Sequence, residues 1–258
     1  MAITFNPRAG QYRDESGKFI KRSEVVAALD EEVLQLQGRL ARLQERLAAG
    51  EINLSTFSRL ARAELKPALA RSAMLGAGGR EAFLDSNRQI GTLGAQAKLT
   101  YGSLKRLTQQ LANGELTLGQ AIDRSRRLAN FAVGAFSRAE QLSRVEHGFL
   151  LAERTLDPGS RHCPDCPALV SGGFVPIDQV TPLGMGCRCG GRCRCQIRYR
   201  RGSLKDLPDL SPVLLFVHSL HAFHVRASPN QGHSAFDGSF HTPRKETAGA
   251  AYLASEDR

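Results

Sequence analysis

All six cysteines of this 258-residue chain fall between Cys163 and Cys195, and that confinement restricts the fold more than any other feature. The order is His162, Cys163-x2-Cys166, a gap of 20 residues, then Cys187-x-Cys189-x3-Cys193-x-Cys195. A C-x2-C followed about twenty residues later by a second cysteine pair is the spacing of a tetrahedral zinc site, in which two short knuckles supply two thiolates each. The second half offers more donors than one ion uses, so four groups per ion are expected from Cys163, Cys166, Cys187, Cys189, Cys193, Cys195 and His162. A redox pair at Cys163 and Cys166 is a weaker alternative, because the strand-helix surroundings of a thioredoxin-like site are missing. Disulfides formed after release from the cell are a third.

Charge is concentrated in the same place. The chain carries a formal net charge of +10, which draws polyanions. Residues 161–201 hold Arg161, Arg188, Arg192, Arg194, Arg198, Arg200 and Arg201 against Asp165 and Asp178, so half of the excess sits among the cysteines. Part of it offsets the formal −2 of a four-thiolate zinc site. Arg192, Arg194, Arg198, Arg200 and Arg201 lie beyond the first C-R-C, where few acids compete for them, and form the expected contact set for non-specific DNA binding. They sit in Gly-rich loops, whereas sequence-specific readers usually place basic residues on a recognition helix.

Upstream the pattern is helical. Val26, Leu29, Val33, Leu36, Leu40, Leu43 and Leu47 recur at spacings of 3 and 4, a heptad seam that needs a helical partner. With further helices in the same chain, intramolecular packing is the expected use and coiled-coil pairing the alternative. "LAAGEINL" (47–54) and "LANGELTL" (111–118) repeat at an offset of 64 residues, each reading as the elbow of a helical hairpin, with Thr117 and Gln120 at capping-box spacing. Before the second elbow the apolar pattern is Phe83, Ile90, Leu93, Ala97, Tyr101, Leu104, Leu107 and Leu111; after it, Leu118, Ile122, Leu128, Ala132, Ala135, Ala139 and Leu142. Pro67 is expected to kink or end its helix.

The expected fold is therefore mainly α: a bundle of long helices with two helical hairpins, then a small loop-rich zinc-binding module, with extended termini. The boundaries read as an extended arm over 1–22, a helical domain over 23–155, a Cys-rich module over 156–202 and a tail over 203–258. No apolar run approaches the ~20 residues of a membrane span, and no segment reads as a signal peptide, so a soluble protein made in the cytoplasm is expected, with no membrane partner and no small-molecule substrate. No Glu lies between Glu153 and Glu246 to serve a zinc hydrolase, and H-E-x-x-H, P-loop and G-x-S-x-G patterns are missing. The expectation is a non-enzyme; a cellular zinc-containing nucleic-acid-binding protein and a zinc or thiol enzyme are the competing classes.

At "CPDCPALVSGGFVPIDQVTPLGMGCRC" the chain resembles the C-terminal motif of the Mu F-like minor head proteins of tailed bacteriophages, through Cys163, Cys166, Leu169, Gly172 or Gly173, Pro182, Cys187, Arg188 and Cys189. The "GEINL" and "GELTL" elbows are similar to a hairpin turn of that family's helical region, and the resemblance covers about residues 40–200. It implies a virion protein of the phage head, associated with the portal and capsid proteins and assisting head assembly, with packaged DNA as a further candidate partner. The family often places a His shortly before the C-R-C, where this chain has Gly184, Met185 and Gly186. The resemblance then implies that Cys193, Cys195 or His162 takes that ligand's place.

Overall fold

The heptad seam winds into α1 (Arg22–Ala48), whose entry is fixed by the Lys21 N–H donating to Glu24 Oε1 at 3.2 Å. This computed structural model describes residues 3–187 and 195–202, and they are mainly helical. Leu29, Val33, Leu36, Leu40 and Leu43 are buried as the seam requires, but Val25 replaces Val26 at its start. The seam packs within the chain, against α2 (Leu54–Ala77) and α5 (Leu118–Leu128). Of the remaining helices, α3 (Arg80–Leu84) is one short turn, α4 spans Asn87–Ala112 and α6 spans Phe131–Glu146.

Both elbows form where the repeat places them. Gly50 and Gly114 take φ of 73° and 69° just past α1 and α4. Asn53 then caps α2 through Thr56 N (2.9 Å), and Thr117 and Gln120 cap α5 reciprocally. Two helical expectations need correction. Pro67 does not end its helix; α2 runs through it. One missing N–H and a ring clash cost about 3 kcal/mol, less than is gained by burying Leu65, Ala68, Leu69, Ala70 and Ala73 around it. The helix expected from Leu118 to Leu142 is broken at Ala129–Asn130, where Ala129 N, Asn130 N and Val133 N bond three residues back. The break lets Ala121, Ser125 and Leu128 of α5 turn towards α1 and α4 while Ala132, Ala135, Phe136 and Ala139 of α6 turn mainly towards α2.

The α2–α6 crossing is backbone to backbone. A Cβ at Gly76 would lie 2.1 Å from the Phe136 carbonyl oxygen and 3.0 Å from Glu140 N. Gly76→Ala gains about 1 kcal/mol of helix propensity, yet neither backbone can yield to a contact that short. The substitution should lower Tm by about 5–10 °C, the size of an overpacking penalty near 3 kcal/mol in a domain of this length. Gly91→Ala, with open space at its Cβ, should leave Tm level or raise it, and scanning calorimetry of the pair checks both signs.

Residues expected as an extended N-terminal arm instead form an antiparallel meander, β1 (Thr4–Asn6), β2 (Gln11–Arg13) and β3 (Phe19–Ile20). Ile3, Tyr12 and Ile20 are buried, which supplies the apolar area that a free arm lacks. Phe5 N donates to the Gly78 carbonyl at 2.9 Å, and a Cβ at Gly78 would sit 2.3 Å from the Phe5 Cβ. The glycine pair closing α2 therefore admits β1 alongside.

The expected boundary near residue 155 also moves. β4 (Leu151–Thr155) pairs antiparallel with β5 (Val175–Pro176) and with β6 (Gln196–Arg200), so it belongs with the cysteine segment. Ile177, Val180, Leu183 and Ile197 of that segment share one buried cluster with the helices. Residues 203–258, expected as a tail, lie outside the described residues. Among the described residues no helix is long and apolar enough to cross a membrane.

Candidate metal centre

Strand pairing brings the two ends of the cysteine segment together. The β4–β6 register sets Thr155 opposite Gln196, so Cys195 arrives beside the start of the loop that carries His162, Cys163 and Cys166. That loop folds back on itself: Cys166 N donates to the Cys163 carbonyl at 3.0 Å, Leu169 N to the Cys166 carbonyl at 3.1 Å, and Ser171 N to the Arg154 carbonyl at 3.2 Å. Arg154 N in turn donates to Ser171 Oγ at 2.8 Å. The following stretch is held on α6, where Gln141 Nε2 donates to the Val180 carbonyl (2.9 Å) and Leu183 N to Ser137 Oγ (2.9 Å). Cys187 follows directly.

The described donors fall into two groups, His162 with Cys166 and Cys195, and Cys163 with Cys166 and Cys187, the ligand atoms of each lying within 4.8 Å of one another. Cys166 and Cys195 are buried. The Cys163 and Cys166 sulfurs are 3.5 Å apart, too far for a disulfide bond of about 2.05 Å and close to the ~3.8 Å edge of a tetrahedron with 2.3 Å metal–sulfur bonds.

His162 gives the most direct sign of a missing partner. Its Nε2 lies 2.7 Å from the Asp157 carbonyl, so that nitrogen carries the proton and donates. Its Nδ1 is buried with no hydrogen-bond partner and is left as the lone-pair donor of the ring. A histidine that donates one ring N–H to a backbone carbonyl and keeps its other nitrogen out of hydrogen bonds, beside thiols, is the usual arrangement at a metal. These residues could hold a metal ion. Asp157 turns its carboxylate to Ser160 Oγ (2.5 Å) and Gly159 N (3.4 Å).

Of the seven donors expected from sequence, Cys163, Cys166, Cys187, Cys195 and His162 are brought together; Cys189 and Cys193 lie outside the described residues. Of the expected nucleic-acid contacts, Arg192 and Arg194 also lie outside them. Arg198, Arg200 and Arg201 are exposed, and each has a partner in the chain: Arg198 reaches Glu153 at 3.9 Å, Arg200 stacks on Phe174 with its guanidinium 4.7 Å from the ring centre, and Arg201 stacks on Phe149 and donates to the Pro7 carbonyl.

A second polar centre, which the sequence reading missed, fastens the surroundings of this module. Glu140 of α6 is fully buried and accepts from Arg22 Nε (2.8 Å) and Nη2 (2.6 Å), from the Tyr12 hydroxyl (2.9 Å) and from the Tyr199 hydroxyl (3.1 Å). Arg144 Nη2 lies 3.6 Å away, and its guanidinium sits over the rings of Phe5 (3.6 Å), Tyr12 (5.1 Å), Tyr199 (5.4 Å) and Phe149 (5.7 Å). Two cations thus face one carboxylate, and the aromatic faces offset the surplus charge. Burial alone would push the Glu140 carboxyl up; Arg22, Arg144 and the Tyr12 hydroxyl outweigh it and hold the carboxyl below its ordinary value. Burial, with Glu140 beside them, pushes the Tyr12 and Tyr199 phenols well up, so both remain O–H donors at neutral pH. The available signal was an acid on the buried stripe Phe136, Glu140, Arg144, spaced by four along an otherwise apolar face.

Comparison with protein-family models, with curated proteins and with solved structures finds no match to this chain.

Proposed function

We propose that this chain is a structural minor head protein of a tailed bacteriophage, made in the host cytoplasm and incorporated in the head beside the portal, with a zinc-stapled C-terminal module. The observation that carries the structural reading is the seating of the cysteine loops on α6 with Cys166 and Cys195 buried, His162 grouped with them, and its Nδ1 buried without a hydrogen-bond partner. Thiolate and imidazole donors suit Zn²⁺, which in closed sites of this kind supplies folding energy. Asp157, the nearest acid before the knuckle, spends its carboxylate on a local turn, which supports a non-enzymatic role. The phage assignment is supported by the resemblance of the cysteine motif and the paired helical elbows, now seen as real hairpin turns. Exposed Arg198, Arg200 and Arg201 lie on the last described strand and just beyond it, a surface suited to portal and capsid proteins and to non-specific phosphate contact.

Co-expression of the full chain with portal and major capsid proteins of its own phage tests this directly. The chain should co-sediment with portal rings, and deleting its gene should cut the yield of filled heads by about tenfold or more. Absence of association together with normal head yield would overturn the proposal. Tight binding of the isolated chain to one DNA sequence would favour a cellular zinc protein in its place.

A further inference from the structure

We infer that the exposed ridge formed by α2 and α4 binds the phosphate backbone of duplex nucleic acid. This surface is separate from the metal centre and from Arg198, Arg200 and Arg201. Helices α2, α4 and α5 together hold eleven Lys and Arg against Glu64 and Asp123, a net of +9, and α4 contains no acid at all. The acids that answer these cations come from α1, and they neutralise the side of α2 that faces it. Glu32 of α1 pairs with Arg71 at 2.8 Å, and Arg39 of α1 pairs with Glu64 at 2.8 Å.

The far side of α2 keeps its charge. Arg59, Arg62 and Lys66 recur there at i, i+3 and i+7, and Lys98, Tyr101 and Lys105 recur at the same spacing on α4, so each set forms one stripe of its helix. The two stripes are neighbours, because α2 packs on α4 and the Arg62 guanidinium lies 5.7 Å from the centre of the Tyr101 ring. Arg59, Arg62, Lys98 and Lys105 are all exposed. None of these four pairs with a described acid.

The ridge suits phosphates better than it suits a protein. Lys98 and Lys105 stand about 10 Å apart along their helix, and packed helices set the two rows about 8–10 Å apart. That separation falls between the ~6 Å and ~12 Å widths of the B-DNA grooves, so the two rows can meet phosphates of both strands. Gly94 and Gly102, one turn either side of Lys98, have open space where a Cβ would stand, which admits a sugar-phosphate chain close to the helix. A protein partner draws its affinity from large apolar anchors. Of the exposed large apolar side chains, Leu99 is the one on α4, and as the residue after Lys98 it points about 100° away around the helix.

Binding of the full chain to a fluorescent duplex of mixed sequence, about 25 base pairs long, should be followed by anisotropy between 50 and 200 mM salt. Replacing Arg59, Arg62, Lys98 and Lys105 together by Gln should reduce the slope of log affinity against log salt by about 3–4. Affinity at 100 mM salt should fall at least a hundredfold. Lys98→Gln and Lys105→Gln should each reduce the slope by about 1, which keeps the test usable if the fourfold variant does not fold. Replacing Arg198, Arg200 and Arg201 by Gln should take less than half as much from the slope as the fourfold change. No binding by the wild-type chain at 50 mM salt, or an unchanged slope in the helical variants, would overturn the inference. Displacement of the duplex by polyglutamate as readily as by unlabelled DNA of equal charge would also overturn it, in favour of an acidic protein.

Discussion

Removing the proposed metal ion should release residues 157–187 and the strand that follows them, while α1, α2 and α4 stay helical. The apolar side chains that seat this segment, chiefly Ile177, Val180, Leu183 and Ile197, are each worth about 1.5–3 kcal/mol. Ordering roughly thirty loop residues costs about 1–2 kcal/mol per residue in backbone entropy alone, which exceeds that sum. Apparent zinc binding of about 10–16 kcal/mol adds a contribution comparable with that of these four side chains together, so the segment depends on it heavily. Chelator treatment, or Cys166→Ser, should therefore raise the rate of proteolysis within 157–200 by at least a hundredfold with a small loss of far-ultraviolet helical signal. Unchanged protection after verified metal loss would show that strand pairing and the seat on α6 are enough.

Glu140→Ala should be the most damaging single substitution in the helical body, at about 3–5 kcal/mol, because it leaves the buried Arg144 and the partly buried Arg22 without their anion. That corresponds to a fall in Tm of roughly 10–15 °C. Tyr12→Phe removes one hydrogen bond and should cost about 1.5–3 kcal/mol, as for bonds to charged acceptors. The pH dependence has a definite sign. The folded Glu140 carboxyl is depressed, so its contribution is complete above the ordinary glutamate value of 4.5 and is lost as pH falls through the lower folded value. The Tyr12 and Tyr199 phenols are raised, so their share is complete below about pH 10 and fades as pH rises beyond it. Urea midpoints from pH 2 to 11 should trace both limbs, and Glu140→Gln should flatten the acid limb. An acid limb of unchanged steepness in that variant would assign the effect to other carboxylates.

The elements legible in the sequence are those whose signal is local. The seam of α1 and both glycine elbows follow from periodicity and turn chemistry, which adjacent residues determine. Two of the misreadings have a common cause. Pro67 and the Ala129–Asn130 break are decided by what α2 and α6 bury against each other, a tertiary effect that no window of sequence contains. The meander over residues 3–20 lacked apolar periodicity because only Ile3, Tyr12 and Ile20 need be inward in so short a sheet. At the metal centre, C-x2-C and the closing cysteines were visible by spacing, and His162 by adjacency. The Asp157 carbonyl that orients the imidazole was not, because any residue presents a carbonyl. Nor could the division of donors into two triads be read, since it depends on the β4–β6 register.

Glu140 also sets an order of events during synthesis. Its phenol donors come from both sides of the chain, Tyr12 at 128 residues before it and Tyr199 at 59 residues after it. Contacts of such separation close late, after helices with local contacts have formed. A chain emerging from the ribosome can assemble α1 and α2 early, yet Tyr12 and Arg22 have no carboxylate to meet until α6 appears, and the cluster stays short of one donor until β6 is out. The strands β1–β3 are thus among the last of the described elements to be secured, and their backbone edges remain open to other chains until α6 and β6 have emerged.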